Sequence, residues 1–125
     1  MELNQVTLPA LDIPTSLSFY QAMGFELIVS SPHYARFKST VGDATFSIHA
    51  VDSLIEPSRT TVYFECDLLD QQVEKIRTAG LTFIQEPQDE RWLWREARII
   101  DPSGNTICLY HAGENRLNPP WRVKN

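Results

Sequence analysis

The side chains of this 125-residue chain best equipped for chemistry cluster in its second half. Trp92, Trp94, Glu96 and Arg98 alternate, and that period sends all four to one face of an extended strand. Cys108 and Tyr110 alternate in a following segment, and Tyr63 lies in an earlier one that would run beside it. Aromatic walls with a few convergent polar groups suit a small organic molecule. Within such a pocket Glu96, Tyr63 or Tyr110 is a candidate to move a proton. Glu96 and Arg98 are equally compatible with an internal ion pair, and the tryptophans with plain core or rim packing. His33 and His111 read as loop and strand-end residues. There is no glycine-rich phosphate loop, no Gly-x-Ser-x-Gly elbow, and no Ser, Cys and His spacing that signals a nucleophile.

The elements that must position these residues come in two matched sets. The interval from Gln5 to Thr61 equals that from Gly24 to Gly80, and each glycine closes a helix-like segment. In the first set Leu3–Pro9 reads as a strand, and Asp12 and Pro14 start a helix carrying Ile13, Leu17 and Tyr20 on one face. Phe25–Ser30, Tyr34–Thr40 and Ala44–Val51 follow as strands, the last two joined by a turn at Val41, Gly42 and Asp43. In the second set Thr60–Cys66 is a strand and Asp67 a candidate N-cap. Leu69, Val73, Ile76 and Ala79 form the helix's buried stripe. Leu81–Gln85, Trp94–Ile100 and Asn105–His111 then read as extended, with a turn at Asp101, Pro102, Ser103 and Gly104. The expectation is a single domain over residues 1–113, made of modules 1–51 and 60–112 joined by a linker at 52–59. The polar, proline-rich tail 113–125 is expected to form no further element and to lie on the surface or on a second subunit through Trp121. Two packed modules imply a cleft lined by equivalent positions of both.

Composition narrows the partners. With 42% hydrophobic and 22% charged residues the chain has the makings of a buried core. A net charge of -5 without a Lys/Arg block argues against nucleic acid and favours a cationic or amphipathic ligand. No segment reaches the ~20 apolar residues of a membrane helix, and no leader pattern opens the chain. Cys66 and Cys108 are expected to be reduced thiols, and the protein cytoplasmic.

The two βαβββ sets, the pattern Leu8, Asp12, Ser16, Phe19, Tyr20, Gly24, Phe25, and the late turn Asp101 to Asn105 together resemble the vicinal oxygen chelate superfamily. That group holds glyoxalase I, extradiol dioxygenases, and fosfomycin and bleomycin resistance proteins. The resemblance runs to about His111. It implies an α+β fold in which two tandem βαβββ modules form a cup-shaped mixed sheet, and it implies a homodimer. In the family's enzymes His, Glu or Gln side chains from the strands chelate a divalent metal. The resemblance places those positions at Gln5, Ser47, Thr61 and Cys108. An amide, two hydroxyls and a thiol are poor ligands for a dication. A shifted set of Gln5, His49 and either Glu65 or Glu96 would be better suited, although His49 reads equally as a hydrogen-bonded rim residue. By resemblance to fosfomycin resistance proteins, Glu96 and Arg98 contact the ligand. The expected function is binding of a small organic molecule in the cup without the family metal, lined by Gln5, Ser47, His49, Thr61, Tyr63, Trp94, Glu96, Arg98, Cys108 and Tyr110. The alternative is a glyoxalase-type lyase, isomerase or dioxygenase using a divalent metal.

Overall fold

The computed structural model describes residues 1–56 and 58–124; Pro57 of the expected linker and Asn125 of the tail lie outside the described residues. The first module runs β1 (Gln5–Ala10), α1 (Ile13–Ala22), β2 (Glu26–Ser31), β3 (Tyr34–Lys38) and β4 (Thr45–Ala50). The second runs β5 (Thr61–Glu65), α2 (Leu69–Thr78), β6 (Gln85–Asp89), β7 (Arg95–Ile100) and β8 (Thr106–His111). Each module forms a four-stranded sheet, ordered β1-β4-β3-β2 and β5-β8-β7-β6. In both, the opening strand lies parallel to the closing one, and the other pairs are antiparallel. A helical crossover is what a parallel pair requires.

The helix signals divide into those that hold and those that do not. Asp12 caps α1, accepting from the Thr15 amide at 3.0 Å. Asp67 does not cap α2. Leu68 takes that place without a side-chain bond, and Asp70 in the first turn with Lys75 and Arg77 in the last offsets the helix dipole instead. Leu69, Val73 and Ile76 are buried as the stripe requires, whereas Ala79 is exposed because α2 ends at Thr78. Gly24 and Gly80 take φ +102° and +101°, the left-handed conformation that closes a helix without a Cβ clash.

The expected strand at Leu81–Gln85 also moves. Leu81 and Phe83 pack on the core, while the paired strand starts at Gln85 and includes Pro87. An outer edge tolerates a proline because the N–H it lacks would have no strand partner on the open side, and the register slips between Gln85 and Gln88. The tail contains a short 3₁₀ turn, Gly113–Arg116, where no element was expected. Other strand ends shift by a residue or two.

Both sheets place their apolar faces in one core. Leu8, Phe37, Phe46 and Ile48 from the first join Ile99, Ile107 and Leu109 from the second, with Tyr20, Val73 and Ile76 from the helices. Phe64 links the modules directly, with its ring 4.7 Å from Phe25 and 5.3 Å from Phe46. Burying a phenylalanine such as Phe37 or Phe46 stabilises the fold by roughly 2–3 kcal/mol. The late turn is a second joint. Asp101 accepts from the Tyr20 hydroxyl at 2.5 Å, Ser103 Oγ accepts from the Leu11 amide at 2.9 Å, and Asn105 donates to the Pro9 carbonyl at 2.9 Å. Burial beside the Asp101 carboxylate pushes the Tyr20 phenol far up, so it stays a donor.

Candidate functional site

With one face of each sheet in the core, the alternate residues form two polar faces. On the first, Gln5, Thr7 and Pro9 of β1 register with Thr45, Ser47 and His49 of β4, which register in turn with Lys38, Arg36 and Tyr34 of β3. On the second, Thr61, Tyr63 and Glu65 of β5 register with Thr106, Cys108 and Tyr110 of β8, beside Ile100, Arg98 and Glu96 of β7. Ser47 and Cys108 therefore hold the same place in the two modules, and so do Arg36 and Arg98.

The second face is an aromatic wall over an ion pair. Trp94 stacks on Tyr110 at 4.6 Å, and Tyr63 stands edge-on to both, at 6.0 and 5.7 Å. Tyr63 is 45% exposed, whereas Tyr110 is buried. Glu96 is only 2% exposed; it accepts from Arg98 at 3.0 Å and from the Trp92 indole at 2.6 Å, and the Cys108 thiol lies 3.7 Å away. Arg98 also reaches the Tyr63 hydroxyl at 3.4 Å, and its guanidinium sits 5.9 Å from that ring's centre. The internal ion pair is thus present, and of its two members Arg98 is the one left accessible. Trp92 does not extend the strand. It folds back from the β6–β7 turn, where Leu93 adopts φ +68° and donates its amide to the Glu90 carbonyl.

The first face is a chain of hydrogen bonds. Gln5 Nε2 donates to the Val6 carbonyl and to Ser47 Oγ, and the Thr45 hydroxyl donates to Gln5 Oε1. Ser47 shares a 2.6 Å bond with the Tyr34 hydroxyl, which accepts from Arg36 Nε at 2.9 Å. The bond to Ser47, with help from Arg36, holds the Tyr34 phenol below its ordinary value. Tyr34 and Arg36 had no place among the expected site residues. Alternation along Tyr34, Arg36 and Lys38 was the available signal, once the repeat is aligned on Ser47 and Cys108.

The family's metal positions do not fit a divalent ion here. The Gln5 amide oxygen is neutral and already accepts from the Thr45 hydroxyl, Ser47 and Thr61 offer neutral hydroxyls, and burial beside Glu96 pushes the Cys108 thiol up to about 12. The shifted set fares no better. His49 is exposed, Glu96 is held by Arg98 and Trp92, and Glu65 accepts from the Ala112 and Gly113 amides at 2.8 and 2.9 Å, with Arg116 at 3.5 Å. Partial burial works against the Glu65 charge, but those two amides and Arg116 still hold its carboxyl below the usual range. Among the described residues no three His, Cys, Asp or Glu side chains gather around a shared point.

Every hydrogen bond of the Gln5–Ser47–Tyr34–Arg36 chain stays in the first module, and every one made by Trp92, Glu96 and Arg98 stays in the second. A cavity of about 580 Å³ does lie between the modules, yet it runs along the free edge of β5. Met23, Val41, Phe64, Leu68 and Ile76 help line it, and of the expected site residues Tyr63 and Glu65 do. The expected cleft of equivalent positions is not this cavity.

The comparisons agree with the fold. The sequence profile of the Glyoxalase/Bleomycin resistance protein/Dioxygenase superfamily matches residues 2–109. The chain belongs to that superfamily. A glyoxalase/bleomycin resistance protein/dioxygenase from Nocardioides superposes with a TM-score of 0.78 at 20% identity, covering 99% of this chain and 90% of its own. A family enzyme from Burkholderia phytofirmans PsJN gives 0.73 at 23% identity, over 90% and 99% of the two chains. A bleomycin-binding protein solved in complex with bleomycin gives 0.73 at 19% identity, over 89% and 98%. No curated protein matches the chain in sequence. At these identities the superfamily's cup is shared in shape, and its ligand remains a question for the side chains.

Proposed function

We propose that this member of the superfamily binds a small organic molecule by sequestration, in a homodimer that brings the polar face of one copy's first module opposite that of the other copy's second module. The observation that carries the reading is the Tyr63–Trp94–Tyr110 wall beside Arg98, in which Tyr63 is exposed, Trp94 partly so and Tyr110 buried behind them. The similarity in shape to a bleomycin-binding protein supports a binding role for such a wall. The donor sets described above give no support to the metal-dependent lyase, isomerase or dioxygenase alternative. Exposed Leu117 and Trp121 in the tail supply apolar surface for a second copy.

Light scattering and intrinsic fluorescence test the reading. The expected mass is twice 14.3 kDa, and 1-naphthol should quench tryptophan emission saturably in the parent protein but not in Trp94→Ala. Quenching that persists unchanged in Trp94→Ala would remove the aromatic wall from the site. A thermal shift with nickel, zinc, manganese or iron(II), at equimolar metal and lost on chelation, would restore the metal-dependent alternative.

A further inference from the structure

We infer that the first module's face, through Gln5, Ser47, Tyr34 and Arg36, is an oxyanion subsite, so that the ligand carries a carboxylate or phosphoryl group. Gln5 spends its two amide hydrogens on the Val6 carbonyl and Ser47, which fixes Ser47 Oγ as an acceptor. Ser47 and Tyr34 share one bond, and Tyr34 also accepts from Arg36. Of the two hydroxyl protons in that pair only one is used between them, and the other has no acceptor within the chain of bonds. Arg36 contributes a single N–H to the network and makes no ion pair among the described residues.

The cluster therefore offers a hydroxyl and a guanidinium fork that no acceptor among the described residues receives. Among the described residues Lys38, next on the same face, bonds only the Ser39 carbonyl, and Glu26, its register partner on β2, makes no ion pair with it or with Arg36. An anionic oxygen pair matches a guanidinium edge and takes the spare hydroxyl as a third donor. The guanidinium is held ready by the Nε bond to Tyr34 and by its place 5.5 Å from that ring's centre. Arg98 at the corresponding place in the other module has its charge met by Glu96, so the two faces differ: one recognises an anion, the other a flat apolar body. The local charge thereby runs opposite to the overall -5.

This assignment rests on the reading of both faces as ligand walls, and its test separates the two. Nitrogen-15 spectra of arginine Nε–H and glutamine side-chain amides are followed while benzoate, phenyl phosphate, benzamide or benzamidine is added. Benzoate or phenyl phosphate should move the Arg36 and Gln5 signals to saturation, with affinity about tenfold above benzamide. In Arg36→Gln the Gln5 response to the anions should vanish, and in Tyr34→Phe it should weaken severalfold, with the backbone spectrum otherwise kept. Benzamide or benzamidine saturating these signals as tightly as the anions, no saturation by either anion, or an unchanged Gln5 response in Arg36→Gln would each overturn the subsite. A monomeric protein whose Arg36 signal still saturates with benzoate would fail the dimeric reading alone. A dimer whose Trp94-dependent binding of 1-naphthol is intact while Arg36 ignores both anions would fail the subsite alone.

Discussion

Tyr20 on α1 donates its hydroxyl to the Asp101 carboxylate across the boundary between the two modules, at 2.5 Å and out of reach of solvent. Asp101 in turn accepts from the Ser103 and Asn105 amides and from the Asn105 side chain, at 2.8–2.9 Å. Tyr20→Phe keeps the ring packing and leaves those other donors in place, so it should cost about 1–3 kcal/mol, measured by urea denaturation. Asp101→Ala strands several buried donors at once and should cost more than Tyr20→Phe. Equal effects would show that the turn's own bonds carry little.

Glu96 is the buried centre of the aromatic wall. Removing its carboxylate leaves the Trp92 indole without its acceptor and Arg98 without its counter-charge. Glu96→Ala should destabilise by roughly 2–4 kcal/mol, and Glu96→Gln by less, because an amide still accepts from the indole. Glu96→Ala should shift the emission of Trp92, whose indole donates to that carboxylate. An unperturbed spectrum in Glu96→Ala would detach Trp92 from it.

The two thiols, Cys108 buried and Cys66 partly so, give an alkaline signature. Burial, with Glu96 close by, raises Cys108 from 9.0 to about 12, and burial, with Glu65 and Asp67, raises Cys66 from 9.0 to about 11. Below pH 9 both thiols are protonated in folded and unfolded chains, so their contribution is fully present. Above it the unfolded chain loses protons that the folded chain keeps, and stability falls as pH rises toward the folded values. The decline should approach about 1.4 kcal/mol per pH unit for each thiol, and Cys108→Ala should reduce its slope between pH 9 and 12. A slope unchanged by that substitution would place the alkaline loss elsewhere.

Much of the fold was legible because period and punctuation agree. Asp12, Gly24 and Gly80 mark helix ends by local backbone chemistry, and alternation in β4, β7 and β8 separates core from polar face. Asp67 and Leu81–Gln85 misled because tertiary packing outweighed the local signal: Phe83 is more useful as a core anchor than as a strand residue, and the edge position made Pro87 acceptable. In the site, the Trp94, Tyr110 and Glu96–Arg98 grouping was readable from spacing. Tyr34 and Arg36 were not, since a Tyr-x-Arg pair reads like any solvated strand until its register with Ser47 is known. Nor does spacing reveal that Trp92 returns from a turn to reach Glu96.

In the proposed dimer one ligand is held by the first-module face of one copy and the second-module face of another. Mixing defects tests it most directly. Arg36→Gln and Trp94→Ala are each titrated with 1-naphthoate, then unfolded together in equal amounts, refolded and titrated again. The parent should bind about one naphthoate per subunit and each variant alone none. Half of the refolded dimers are mixed, and each mixed dimer rebuilds a single intact site, so about one site for every four chains should return. A mixture that binds no better than either variant alone, or single variants that bind as the parent does, would contradict the shared cup.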